Sequence, residues 1–176
     1  MAASSDRPTP PPNHASVNPT PGEGLTSALG RIPSGLFVIT WVEEGTDHAM
    51  LASWVMQAGF VPPSVSIAVA PTRDLLAAID RGVPFVINLL AESQRSLLAR
   101  FGRPPAPGTG PFDGLAVART GNGIATIDGV AGWLECRGTS RAEAGDHVVV
   151  VAEVVAGDSA LAEGPLVHVR KNGLRY

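Results

Sequence analysis

Cysteine occurs once in this chain, at Cys136, which excludes an intrachain disulfide framework and any metal cage that needs a cysteine pair. Charged residues make up only 16% of the sequence, and the net charge of −3 comes without a basic block. The electrostatic footprint of a nucleic-acid binder is therefore missing. No apolar run is long enough, and free enough of glycine, proline and charge, to span a bilayer, so no membrane is expected as a partner. The first 23 residues lack the apolar h-region of a secretory signal, and a single arginine beside two acids argues against a transit peptide. A cytoplasmic protein is the expectation. The histidines at 14, 48, 147 and 168 show neither His-x-Glu nor His-x3-His spacing, so a metal site is not expected. No Gly-x-Gly-x-x-Gly follows a strand, and Gly-x-Ser-x-Gly does not occur.

What is present is glycine (20), proline (16) and abundant valine within 176 residues that are 44% hydrophobic. That composition favours short strands and turns around one ordinary core. Residues 1–23 read as a disordered Pro/Ser-rich leader and residues 24–176 as a single domain. Leu25, Leu29 and Ile32 share one face of a short helix. Leu36–Val42 is a strand, turned by Glu43–Asp47 into the stretch His48–Pro63, whose Pro-Pro pair should end regular structure. Val65–Ala70 alternates as a half-buried strand with one small-residue face. A helix carrying Leu75, Leu76 and Ile79 follows, then the strand Phe85–Leu90, and a second helix from Ser93 with Leu97, Leu98 and Phe101 inward. Residues 102–111 form a loop. Strands are expected at Leu115–Ala118, Gly132–Arg137, Val148–Val155 and Leu166–Arg170. Strands separated by turn signals, with helices inserted rather than alternating, predict a mainly β (α+β) fold built as an antiparallel Greek-key barrel. Cys136 reads as a packed small hydrophobe rather than a nucleophile.

Several positions could carry chemistry. The small residues of Ala49–Ser53 would let a flat ligand lie on backbone, or would simply pack a barrel wall. Thr72, read as the N-cap of the first inserted helix, and Arg73 offer a seat for phosphate, or an ordinary cap with a solvated arginine. Asn88 interrupts an apolar strand, so its amide must bind either a ligand or a structural partner. His147, at the start of the valine strand, is a proton donor, a substrate clamp or a satisfied polar residue. The run from His168 through Arg170 to Tyr176 is a solvated tail or a strand facing a site.

Taken in order, AMLASWV with its Pro-Pro close, SIAVAPTRD, FVINLL, LARF, GWLEC, GDHVVVVAEV and LVHVRKNGLRY resemble the flavin reductase-like family, the FMN-binding split β-barrel. The likeness runs from about Gly24 to Tyr176 and narrows to the flavin reductase domain at the C-terminus of photosynthetic-type flavodiiron proteins. The resemblance implies a homodimer with FMN near the subunit interface and NADH or NADPH as electron donor. It implies that Met50, Leu51, Ala52, Ser53 and Trp54 lie along the flavin ring and ribityl chain, with Ala70, Thr72 and Arg73 at the phosphate. Asn88 and Leu89 would line the flavin, His147 would face the docking nicotinamide, and His168, Arg170 and Tyr176 would close the site. Many free-flavin reductases carry Met-Thr-Ala-Ser-Ser-Phe where this chain has Met50-Leu51-Ala52-Ser53-Trp54-Val55, so two hydroxyls that could contact FMN are missing here. The expected activity is an NAD(P)H:FMN oxidoreductase that passes electrons to an unidentified acceptor. The alternative is an FMN-bound electron carrier or flavin-binding subunit reduced by a partner protein, and a third possibility is a barrel that has exchanged flavin for haem or pyridoxal phosphate.

Overall fold

A computed structural model describes residues 22–159 and 163–174. Most of the expected leader, and Tyr176, lie outside the described residues. The elements in chain order are α1 (Glu23–Gly30), β1 (Ser34–Gly35), β2 (Phe37–Glu43), β3 (Thr46–Ala52), β4 (Val55–Phe60), β5 (Pro63–Val69), α2 (Asp74–Asp80), β6 (Phe85–Leu89), a 3-10 turn (Glu92–Gln94), α3 (Leu97–Phe101), β7 (Val117–Arg119), β8 (Ala125–Ile127), β9 (Gly132–Ala144), β10 (His147–Ser159) and β11 (Val167–His168). None of the described helices is long and apolar enough to cross a membrane.

Seven strands form one sheet in the order β3-β2-β6-β9-β10-β5-β4, and every pairing in it is antiparallel. Its two edge strands, β3 and β4, are consecutive in sequence and joined only by Ser53 and Trp54. Laid flat, six strand spacings would separate them by about 29 Å, at about 4.8 Å each. The link from Ala52 to Val55 reaches at most about 11 Å. The sheet must therefore roll into a barrel whose edges meet at this link, with the Ala68 N–H donating to the Trp54 carbonyl at 3.0 Å.

Strand periodicity sorts the side chains onto two cores. Ile39 and Trp41 of β2 point into the barrel with Ile67, Val69, Phe85, Ile87, Cys136 and Val150. Val38, immediately before Ile39, points outward to Leu36, Leu90, Phe101, Phe112, Ala125 and Ile127. Each fully buried Ile or Val of this kind contributes about 1.5–3 kcal/mol. Cys136 packs as a small hydrophobe, and burial, with the Glu135 charge adding to it, pushes its thiol up to about 12. The β2–β3 hairpin turns on Glu44 (φ 50°) and Gly45 (φ 76°), the pair of left-handed residues a two-residue hairpin loop requires.

Some expectations shift. Pro63 opens β5 opposite Phe60 instead of ending regular structure, which the first position of a strand tolerates because no ladder N–H is needed there. Thr72 is not a helix cap: the cap position belongs to Arg73, with no side-chain cap bond, and the turn is closed by backbone, Arg73 N–H to Ala70 and Leu76 N–H to Arg73, both 3.0 Å. The helix expected from Ser93 divides into the 3-10 turn and α3. Strands β9 and β10 run well past their expected ends, because the polar residues 137–144 alternate on an exposed ribbon with no apolar signal.

Asn88 is fully buried on the outer face of β6 and fully occupied. Its Nδ2 donates to the Val38 carbonyl at 3.0 Å and to Thr40 Oγ1 at 3.3 Å, while its Oδ1 accepts from the Ile127 N–H at 2.8 Å. Thr40 Oγ1 in turn donates to the Ala125 carbonyl at 2.6 Å. This relay fastens the β7–β8 hairpin to the barrel. Asn88→Ala should lower the unfolding free energy by about 1–3 kcal/mol, the cost of an unpaired buried donor. A urea midpoint equal to that of the wild type would mean that the amide is not a structural pin.

Candidate functional site

Where the sheet edges meet without pairing, the protein holds a cavity of about 950 Å³. That is the upper end of the range of about 300–1,000 Å³ typical of small-molecule sites. One wall is β3 and its link, Met50 to Trp54; as an edge strand, β3 pairs only with β2. Its opposite edge offers backbone N–H and C=O groups that no strand satisfies. Because both faces of an edge strand are open, the inward Met50 and Ala52 and the outward Leu51 all line the cavity. A second wall comes from Ala68–Ala70, Arg73 and Asp74 at the β5–α2 junction, and from His147 at the start of β10. The third is the C-terminal segment His168–Asn172, and the fourth is Leu98, Phe101 and the loop from Gly102 to Pro105 with Pro111. Arg100 pins that loop, donating to the carbonyls of Pro111 (3.0 Å) and Asp113 (2.6 Å).

The site is cationic. Arg73, Arg103, Arg170 and Lys171 line it against Asp47 and Asp74. Asp47 is neutralised by Arg119, whose two terminal nitrogens meet its two oxygens at 2.5 and 2.6 Å. Two buried polar atoms of lining residues have no hydrogen-bond partner among the described residues, Ser53 Oγ and Trp41 Nε1. Buried groups of this kind are ordinarily paired, which makes the Ser53 hydroxyl a candidate partner for a ligand in the space. His147 Nδ1 lies 2.9 Å from Asp146 Oδ1. A carboxylate only accepts, so Nδ1 carries the proton and Nε2 is the nitrogen left for other contacts. The Trp54 ring sits between His147, 4.7 Å away and tilted by 52°, and the Arg170 guanidinium, 4.9 Å from its centroid.

Of the residues expected at a site, Met50, Leu51, Ala52, Ser53, Trp54, Ala70, Arg73, His147, His168 and Arg170 converge on this cavity. Thr72 does not line it, whereas the next residue, Arg73, likewise exposed, stands at its rim. Asn88 and Leu89 do not line it either: β6 lies two strands in from the cavity edge, and Asn88 points to the outer core. Sequence reasoning missed Trp41 and His48, whose rings stack at 5.0 Å and 11°. The hairpin turn held the signal, because centring it on Glu44-Gly45 sets Trp41 directly opposite His48. It also missed Arg103 and its prolines, in a stretch with no periodicity to read.

The rolled sheet and its edge cavity are those of a split β-barrel. Among solved structures, a nitrilotriacetate monooxygenase component B homologue from Mycobacterium thermoresistibile superposes with a TM-score of 0.74 at 27% identity, covering 82% of this chain and 80% of that one. The styrene monooxygenase flavin reductase of Pseudomonas putida gives 0.71 at 27% identity, covering 81% and 90%. An NADH:FAD oxidoreductase of Streptomyces globisporus, in complex with NAD and FAD fragments, shares the fold at TM-score 0.73 and 22% identity, over 81% of this chain and 85% of that one. The family profile "Flavin reductase like domain" matches residues 29–173, and the chain belongs to that family. "Diflavin flavoprotein A 1" of Synechocystis sp. is 39% identical over 154 residues, which are 86% of this chain and 27% of that protein. "Putative diflavin flavoprotein A 3" of Nostoc sp. is 38% identical over 157 residues, 88% of this chain and 27% of its own length. The chain thus spans about a quarter of the curated relatives it matches.

The Asp146 carboxyl is held below its usual value near 3.8, first by the hydrogen bond from His147 and then by the charge of that ring. A carboxyl depressed in the folded state stabilises it above the unfolded pKa, and the contribution is lost as pH falls through the depressed value. Carbon-detected NMR should show Asp146 titrating below the ordinary aspartate range, and back within it in His147→Ala. An unchanged titration in that variant would break the pair.

Proposed function

We propose that this domain is an NAD(P)H-dependent flavin reductase that holds FMN in the edge cavity and passes the electrons to a further acceptor. The observation that carries the reading is the unpaired edge of β3 beside the buried, unpartnered hydroxyl of Ser53, inside a cationic cavity of about 950 Å³. A flavin is flat, amphipathic and rich in carbonyl and ring-nitrogen acceptors, and its phosphate is anionic. Those properties fit the small-residue wall, the free backbone groups and Arg73, and family membership supports a flavin-handling role. When bound, the flavin would supply the hydride chemistry, while the protein supplies position and electrostatics. Backbone N–H groups of Ala52 and Ser53 would stabilise negative charge on the ring. Arg73 would anchor the phosphate, His168 and Arg170 would close the far side, and His147, its Nδ1 held by Asp146, would help orient a nicotinamide ring.

A homodimer belongs to the same reading. The edge strand β4 and its turn present Met56 (69% exposed), Phe60 (81%) and Val61 (96%), an apolar ridge suited to a second copy. The competing reading, an FMN-bound carrier reduced by a partner protein, draws on Leu51 and Trp54 and on the diflavin flavoproteins, of which this chain spans 27%.

Steady-state turnover separates the two. A reductase oxidises NADH or NADPH catalytically when FMN is supplied, and near-zero turnover with both nucleotides would leave the carrier. Arg73→Ala should weaken FMN binding by about 1–3 kcal/mol, the range for a lost charged hydrogen bond. An unchanged dissociation constant in a fluorescence titration would remove Arg73 from the phosphate seat.

A further inference from the structure

The C-terminal segment is rooted at Leu166, whose N–H donates to the Leu90 carbonyl at 2.7 Å and whose carbonyl accepts from the Leu36 N–H at 3.0 Å, and from there it runs along the cavity as the wall His168–Asn172. Past that root, its ladder among the described residues is β11 on β1, where Ser34 pairs His168 and Gly35 pairs Val167. Beyond that it lies against the end of α1, with the Arg170 N–H donating to the Gly30 carbonyl at 3.0 Å and the Gly173 N–H to the Thr26 carbonyl at 2.9 Å. The approach is tight. A methyl group on Gly173 would stand 2.6 Å from the Gly30 nitrogen, and one on Gly30 would stand 2.7 Å from the Arg170 carbonyl oxygen. Between these anchors, Arg170 reaches across to the face of Trp54.

That pair lies between two spaces. Trp54 and Arg170 line the large cavity, and both also line a second, smaller one of about 230 Å³ together with Leu29, Ile32, Gly173 and Leu174. One indole and one guanidinium thus form the partition between the two, and the same contact ties the C-terminal segment to the β3–β4 link. A cation over an aromatic face is strengthened by loss of water.

We propose that Trp54 and Arg170 act as a clasp that fastens the C-terminal segment over the cavity and sets the residence time of the bound flavin. The proposal rests on the flavin reading given above and deepens it. A clasped flavin stays with the protein between turnovers, so the acceptor is a molecule that comes to the cavity mouth rather than one reached by free reduced flavin. Gly30 and Gly173 are positioning residues, because they touch no ligand and act only by seating the segment.

The test compares the wild type with Trp54→Ala, Trp54→Phe and Gly173→Ala, each loaded with FMN and then diluted into apoflavodoxin as a trap. Trp54→Ala and Gly173→Ala should release FMN about tenfold faster, the range of a partly desolvated cation–π contact. Trp54→Phe, which keeps an aromatic face, should stay within about threefold of the wild type. Release rates unchanged in both Trp54→Ala and Gly173→Ala would overturn the clasp. Hydrogen exchange on the flavin-free protein gives a readout independent of any ligand: the Arg170 and Gly173 amides should lose protection in Trp54→Ala while the β9–β10 amides keep theirs. Protection retained at both amides overturns the clasp even where FMN binds. A wild type that takes up no FMN, but loses that protection in the variant, overturns the flavin reading instead.

Discussion

An antiparallel sheet of seven strands whose two outermost strands are neighbours in sequence cannot lie flat when only Ser53 and Trp54 join them. Curling brings β3 beside β4, but each already has its partner on the other side, so the two edges meet without forming a ladder. The unpaired edge is thus a consequence of connectivity. Along that seam, backbone polar groups of β3 are left for something other than a neighbouring strand. The side chains there are small at Ala49, Ala52, Ser53 and on the end of β5, cationic at the start of α2 and along the C-terminal segment, and aromatic at the link. Flatness, polarity and negative charge in a ligand are matched by three features of one seam.

Much of this was legible in the chain. Alternation along Val65–Ala70, the β-branched and aromatic residues of Leu36–Val42 and the apolar run Phe85–Leu90 all read as strands, and β5, β2 and β6 follow them with small changes at their ends. The family resemblance supplied what periodicity could not, namely that the stretch from Met50 to Trp54, Arg73, His147 and Arg170 belong together although up to 120 residues separate them, from Met50 to Arg170. The failures have local causes. For Asn88 an amide in an apolar run left ligand and structural partner both open, the resemblance pointed to the flavin, and the partners proved to be Val38, Thr40 and Ile127, none of which neighbours it in sequence. Thr72 looked like a cap because threonine favours that position, yet the chain after Pro71 starts its helix one residue later. Trp41 and His48 were hidden by being read one at a time, and the register of their hairpin is what stacks them.

On the proposed reading, electrostatics and closure would act on the same ligand from different sides. Arg73 at the β5–α2 junction and Arg170 on the C-terminal segment approach from separate parts of the chain, and Arg119 keeps the nearby Asp47 from opposing them. Arg170 spends part of its reach on Trp54, so attraction and fastening share one side chain. Trp54 stands where free-flavin reductases resembling this family carry a hydroxyl. On the clasp proposal, a wide aromatic face in place of a small polar group would serve to hold a cofactor.

The central claim is that the edge cavity brings a nicotinamide and a flavin together. The direct measurement is the visible spectrum of the FMN-loaded, gel-filtered protein held without oxygen, recorded before and after NADPH and, separately, NADH. The account predicts that the flavin absorption band bleaches within seconds of adding one of the two nucleotides. A band that survives both and yields only to dithionite would contradict it, leaving a bound flavin whose electrons come from another protein.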